Sequence, residues 1–291
     1  GQRSLAMNAS GTIIVVGSCN PISQFSQRGL VVYEYIDEQW LVKGEIIYQQ
    51  ALNSNSFGFN SVSISDDGNT IAAKVGKDNP NVLGAGKVKT WKFLNNQWTE
   101  LEVDFNTVST NNNNEIVGRS SAPYSGGFNH NAFDGYSGAF GNSISLSGDG
   151  LSLAISGFGG WQTSQTNWSR SRVSIFKLID GKWAYKGEPI AAPYDDIEYN
   201  GSGFGTDVAL SYNGNKIVFS DSWDGTPPSQ FDAPGSVRVY AYYNEADDWA
   251  MVGEKIMGEP GDRLGPVSIN NDGNIIAVGV LDAYSSAPIR P

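Results

Sequence analysis

Small polar and β-branched residues alternate through Ser61-Val62-Ser63-Ile64-Ser65. This two-residue period predicts a strand with one face turned to a core. After Asp67-Gly68 the run Ile71-Ala72-Ala73 is continuously apolar, which suits a strand covered on both faces. The unit Phe57–Gly76 (FGFNSVSISDDGNTIAAKVG) returns at Phe140–Gly157 (FGNSISLSGDGLSLAISG) and at Phe204–Asp221 (FGTDVALSYNGNKIVFSD). Looser copies span Gly1–Gly17 and Leu264–Gly279. The hairpin glycines Gly11, Gly68, Gly150, Gly214 and Gly273 recur about every sixty residues, with one insertion of about twenty, a period that signals a propeller or solenoid. Asp67-Gly68, Asp149-Gly150, Asn213-Gly214 and Asp272-Gly273 predict tight turns, because glycine tolerates positive φ.

A second hairpin follows each of the first four copies. Its third strand is predicted at Leu30–Tyr33, Val88–Trp91, Val173–Phe176 and Val237–Tyr240, and its fourth begins at Trp40, Trp98, Trp183 and Trp249. The aromatic ending the third strand precedes that tryptophan by seven residues three times and by nine in the last copy. Four short strands per repeat predict an all-β fold, a β-propeller of four-stranded antiparallel blades. Four full repeats and the first half of a fifth imply about five blades. Small serines on the first strand leave room for face-to-face blade packing.

The order Phe-Gly, alternating strand, Asp-Gly hairpin, apolar run and Gly-x-Val-x-Val-Tyr resembles the FG-GAP type of repeat, found in integrin α-subunit heads and secreted microbial surface proteins. The resemblance covers nearly the whole chain and implies an extracellular or cell-surface location, with ligands taken at the face of the second-to-third and fourth-to-first connections. It departs in two ways. Ser65-Asp66-Asp67-Gly68 and Ser147-Gly148-Asp149-Gly150 lack the alternating carboxylates of a calcium loop. The integrin-type ring also has seven blades. A closed five-bladed ring with a half-built last blade is the geometric expectation here, and a fragment of a larger propeller the alternative.

The length of 291 residues and the absence of a dividing linker predict one propeller domain over residues 1–291, with a loop insertion at 104–136. Thirty acidic against 19 basic residues give a net charge of −11, which disfavours nucleic acid. The single cysteine, Cys19, permits no internal disulfide and reads as a small loop residue. No apolar run of about 20 residues predicts membrane insertion, and no leader with basic flanks is visible. Since the chain starts and stops within the repeat, it reads as a processed or partial polypeptide whose unpaired half blade invites another segment or chain.

Sequons place glycosylation candidates at Asn8, Asn167 and Asn200. His130, the only histidine, lies in the insertion and makes neither a zinc site nor a triad by itself. Asp195, Asp196 and Glu198 form a local acidic cluster that reads as a solvated loop, with a cation as the alternative. The pattern implies no cofactor and no metal site.

Trp40, Trp91, Trp98, Trp183 and Trp249 recur with the repeat and read as framework. The other three, Trp161, Trp168 and Trp223, fall in second-to-third connections, with Asp224 and Phe231 beside the last. Loop aromatics are flat platforms for a sugar or a protein, so these five residues are the candidate ligand site, against the alternative that they cover loop backbone.

The enzyme alternative, a propeller glycoside hydrolase acting on polysaccharide, needs paired carboxylates at the central funnel. Among the predicted innermost strands only Asp207 is acidic. The expectation is therefore a non-catalytic extracellular recognition or assembly module that binds a glycan or protein through its loops.

Overall fold

The computed structural model describes residues 5–17, 27–50, 61–75, 87–103, 116–117, 141–157, 171–192, 203–225 and 233–281. Those residues form strands and turns without a helix. Blade A comprises β1 (Leu5–Met7), β2 (Ile13–Gly17), β3 (Gln27–Ile36), β4 (Gln39–Val42) and β5 (Ile47–Gln50). Blade B holds β6 (Val62–Ile64), β7 (Thr70–Val75), β8 (Lys87–Leu94) and β9 (Gln97–Glu100), then β10 (Glu102–Val103) and β11 (Ile116–Val117). Blade C contains β12 (Ile144–Leu146), β13 (Ser152–Gly157), β14 (Arg172–Ile179), β15 (Lys182–Tyr185) and β16 (Ile190–Ala191). Blade D contains β17 (Phe204–Leu210), β18 (Lys216–Asp221), β19 (Ser236–Tyr243), β20 (Asp248–Met251) and β21 (Ile256–Met257). Blade E is the pair β22 (Leu264–Ile269) and β23 (Ile276–Val280). Strands one to four pair in sequence order in blades A to D, all antiparallel. Four four-stranded blades and a half blade, as the repeat predicts, make this an all-β propeller architecture.

The core is the set of junctions between blades. Ile71 and Ala73 pack toward blade A while Ala72, between them, packs toward blade C. Leu153 and Ile155 likewise face blade B and Ala154 faces blade D; Ile217 and Phe219 face blade C and Val218 faces blade E. Neighbouring strand residues point to opposite faces, so a continuous apolar run serves two junctions at once. Burying a side chain such as Phe176 or Ile155 contributes roughly 1.5–3 kcal/mol before entropy is counted.

The innermost strands are laced by serines. Ser63 Oγ accepts the Leu146 N–H at 2.9 Å, Ser145 Oγ accepts that of Leu210 at 3.1 Å, and Ser143 Oγ accepts that of Val208 at 3.2 Å. Beyond leaving room for neighbours, these serines satisfy backbone donors where blades converge. The first-hairpin tips are joined as well: Asp66 N–H to Gly148 O, Asp149 N–H to Tyr212 O and Tyr212 N–H to Asn271 O, at 2.9, 2.9 and 3.0 Å.

The turns differ from the predicted assignment. Four residues, Asp66 to Asn69, separate Ser65 from Thr70, and only Gly68 among them has positive φ. Ser65 Oγ holds this wider loop by accepting the Thr70 N–H at 3.0 Å. True two-residue turns, with both φ values positive, occur in the second hairpins at Asp37-Glu38, Asn95-Asn96 and Asp180-Gly181. Blade D has a four-residue loop there, Asn244 to Asp247, which accounts for its nine-residue spacing.

The predicted insertion is also placed differently. In blades A, C and D the fourth strand breaks once and resumes as β5, β16 or β21 on the same third strand. In blade B, β10 leaves to pair in parallel with β15 of blade C, and β11 returns to β8 at Ile116↔Val88. Part of the insertion therefore lies within the outer strand of blade B rather than wholly between blades. The outer strand is the rim of the blade, where a longer excursion adds little closure cost.

Candidate ligand surface on the loop face

The described part of the predicted site is Trp223 and Asp224, at the turn that ends β18. Asp221 Oδ1 accepts the Trp223 N–H at 3.2 Å, and the Gly235 N–H returns to Asp224 O at 3.1 Å, closing the base of the connection. Ser222 Oγ lies 2.9 Å from Thr206 Oγ1, tying the turn to β17.

Beneath the turn is a buried charge cluster. Asp224 Oδ2 accepts from Arg238 Nη2 at 2.9 Å and from Lys255 Nζ at 3.0 Å. Arg238 Nη1 donates to Ser236 Oγ at 3.1 Å and stands 3.7 Å from Asp221 Oδ2, with its guanidinium 5.4 Å from the centre of the Phe204 ring. Burial pushes the Asp224 carboxyl up, but hydrogen bonds from Ser236 and Lys255 and the charges of Arg238 and Lys255 outweigh it and hold the pKa below the ordinary value. An ion cluster removed from water is paired because an unpaired member would be costly. Its carboxylate being occupied, Asp224 fixes the turn from below while Trp223 occupies its outer side.

The half-buried indole of Trp223 lies beneath the Arg263 guanidinium, 4.4 Å from the ring centre, a cation–π arrangement. Gly203 permits the approach from blade C's side, since a Cβ there would fall 2.4 Å from Trp223 Cδ1. Arg263 was not singled out by the sequence reading. It precedes β22 in the fourth-to-first connection, 40 residues along the chain from Trp223, and no local pattern links the two.

Trp161, Trp168 and Phe231 lie outside the described residues, as do Asn167, Asn200, Asp195, Asp196, Glu198, His130 and Cys19. Asn8 is described and buried: its Oδ1 accepts the Thr12 and Ile13 N–H groups at 2.9 and 2.8 Å, and its Nδ2 donates to Ser10 Oγ at 2.9 Å. It caps the first hairpin, and a glycan there would have to displace that turn. Among the described residues no group of three or more His, Cys, Asp or Glu side chains could hold a metal, and no helix is long and apolar enough to cross a membrane.

The buried Asp207, the lone acidic residue of the inner strands, joins three blades: it accepts from Ser143 Oγ at 2.7 Å and from the Val267 N–H at 3.0 Å. Three framework tryptophans reach the preceding blade. Trp98 donates its indole N–H to Lys43 O at 2.8 Å, Trp183 to Thr90 Oγ1 at 2.7 Å and Trp249 to Lys186 O at 2.6 Å. Trp40 has no preceding blade among the described residues and is 43% exposed.

No family model matches the chain, and no curated protein matches it. Its fold is similar to the β-propeller domain of Myceliophteria thermophila Cps50 (Swd1), with 9% identity, a TM-score of 0.50, and coverage of 96% of this chain and 62% of that domain. The chain thus spans less than two thirds of that propeller. Two weaker resemblances are to a Bacteroides uniformis protein described as a putative 6-phosphogluconolactonase (12% identity, 94% and 56% coverage, TM-score 0.45) and to the tricorn protease (12% identity, 96% and 24% coverage, TM-score 0.46). These two correct the expectation that the chain is not an enzyme. Both descriptions are of enzymes, and a lone inner-strand carboxylate does not decide the matter when the loops can supply further groups. Strand order, blade junctions and the similarity to the Cps50 domain together make the fold of this chain a β-propeller.

Proposed function

We propose that the chain is an extracellular, FG-GAP-like recognition propeller that takes a protein partner or a glycan on its loop face. Residues 1–291 would act as one propeller carrying that face. The carrying observation is the Trp223–Arg263 stack, held from below by the buried cluster of Asp221, Asp224, Arg238 and Lys255. An aromatic platform fixed before binding loses little side-chain entropy on contact, and an adjacent cation adds selectivity for acidic or hydroxyl-rich groups.

The test is binding on a glycan array and on an array of extracellular proteins, run with the wild type and Trp223→Ala. Specific signals that fall at least about tenfold in the variant, with its unfolding midpoint kept, are expected, matching the loss of an aromatic anchor. Signals that survive Trp223→Ala would place recognition elsewhere.

A second reading, assembly, is supported by the exposed apolar residues of the end blades, among them Leu5 and Met7 in blade A and Ile275 and Val280 in blade E.

A further inference from the structure

Blade D carries an empty copy of the seat that receives an outer-strand tryptophan elsewhere. The filled seats are built alike. Lys43 and Lys186 each present a carbonyl to an indole N–H, and the next residue, Gly44 or Gly187, has a φ of 74° or 72°. A Cβ on Gly44 would come within 3.0 Å of Trp98 Cδ1, and one on Gly187 within 2.7 Å of Trp249 Cδ1. Only glycine combines this backbone with an indole lying directly on it. Each seated tryptophan also pairs with an aromatic of the neighbouring strand: Phe93 with Trp98 at 5.0 Å between centroids, and Tyr242 with Trp249 at 5.4 Å.

The same construction recurs at Val252-Gly253-Glu254. Gly253 has a φ of 70°, and a Cβ there would meet nothing within 4 Å. The Val252 N–H bonds to Val239 O at 2.8 Å, as the Lys43 N–H does to Val32 O and the Lys186 N–H to Ile175 O, so the seat is formed in the same register. Around it Met251, Val252, Ile256 and Met257 are exposed. The inner half of this junction is complete, with Val218, Val237, Leu264 and Val267 packed together and the Val267 N–H on Asp207. Its apolar surface continues outward onto the vacant seat, and β23 pairs only with β22 among the described residues.

We propose that a β-hairpin from a separate polypeptide completes blade E by adding to the free edge of β23. Its outer strand carries a tryptophan, cross-strand from an aromatic, that rests on Gly253 and donates its indole N–H to Val252 O. Edge-strand addition supplies backbone hydrogen bonds and the tryptophan fixes the register. The inference deepens the assembly reading and is independent of the Trp223 surface.

The probe is a synthetic peptide of residues 27–50 of this chain, which holds the same hairpin with Tyr35 opposite Trp40. It is titrated into the intact protein by calorimetry. One-to-one binding is expected, weakened at least about tenfold by Trp40→Ala in the peptide and by Gly253→Val in the protein, as for loss of one aromatic anchor. The peptide variant leaves the protein untouched, so the test stands even if Gly253→Val fails to fold. Trp223→Ala should leave peptide binding unchanged, which separates this site from the loop face. Absence of binding at roughly 1 mM peptide, or equal binding of the Trp40→Ala peptide, overturns the proposal. Concentration-dependent self-association without peptide, abolished by Trp40→Ala in the protein, overturns it in favour of a second copy as occupant.

Discussion

The C–D junction and the outer half of the D–E junction are the same structure with and without its tryptophan. At the first, Trp249 lies on Gly187, bonds to Lys186 O and is 8% exposed; at the second, Gly253 keeps the left-handed backbone with nothing resting on it. The backbone form thus does not depend on the occupant. Local sequence builds the seat, and the neighbouring blade fills it. The B–C junction shows a third solution. Blade B has Glu100-Leu101-Glu102 where the others have glycine; there Trp183 turns to Thr90 Oγ1 while β10 pads the gap by pairing with β15.

The largest expected effect separates filled from empty positions. Trp249→Ala should destabilise by about 3–5 kcal/mol in denaturant unfolding, the usual cost of removing a buried large aromatic, whereas Trp40→Ala should stay within about 1 kcal/mol. Equal losses would mean that Trp40 also has a seat. Next is Asp207→Ala, which strands the Val267 N–H and the Ser143 hydroxyl in a buried junction; about 3 kcal/mol is expected from two unsatisfied groups. A smaller effect contrasts the glycines. Gly187→Ala adds a clash with Trp249 to left-handed strain and should cost about 2 kcal/mol or more, while Gly253→Ala should cost only the strain, about 1 kcal/mol. If the two match, the Gly187 contact is not a constraint.

The smallest effect is electrostatic. Lys186 Nζ is enclosed by Gly214 O, Asn215 Oδ1 and Ser152 Oγ at 2.7, 2.8 and 3.2 Å. Burial lowers its pKa from 10.5 to about 8, countered in part by the charge of Asp149. The unfolded chain then holds this proton more tightly between about pH 8 and 10.5, so the native state gains stability as pH rises through that window. Relative to Lys186→Met, the wild type should gain on the order of 1 kcal/mol between pH 8 and pH 10, since the carbonyl and amide acceptors offset part of the burial cost. A flat difference would show that those acceptors cancel it.

Much of the frame was legible because hydrophobic period and hairpin residues are local signals. The alternation at Ser61–Ser65 and the run Ile71-Ala72-Ala73 specify strands and their buried faces without reference to partners. The turn types were less legible: Asp67-Gly68 looks like a two-residue turn, but the Ser65 hydroxyl bonds across it and widens the loop, whereas Asp37-Glu38 gave no glycine to mark it. One legible signal was missed. Trp-x-x-x-Gly-Glu occurs at Trp40, Trp183 and Trp249, and its absence after Trp98 marks the blade with the insertion. The Trp223–Arg263 stack had no such signal, because it joins two connections whose proximity only the assembled blades create.

Indole N–H hydrogen exchange, resolved for each outer-strand tryptophan by NMR with Trp→Phe variants for assignment, tests the blade-seat account most directly. Trp98, Trp183 and Trp249, each with a carbonyl or hydroxyl acceptor on the preceding blade, should be protected, and Trp40 should exchange at close to the solvent rate. Protection of Trp40 equal to that of Trp249, or rapid exchange at Trp98 and Trp249, would contradict it.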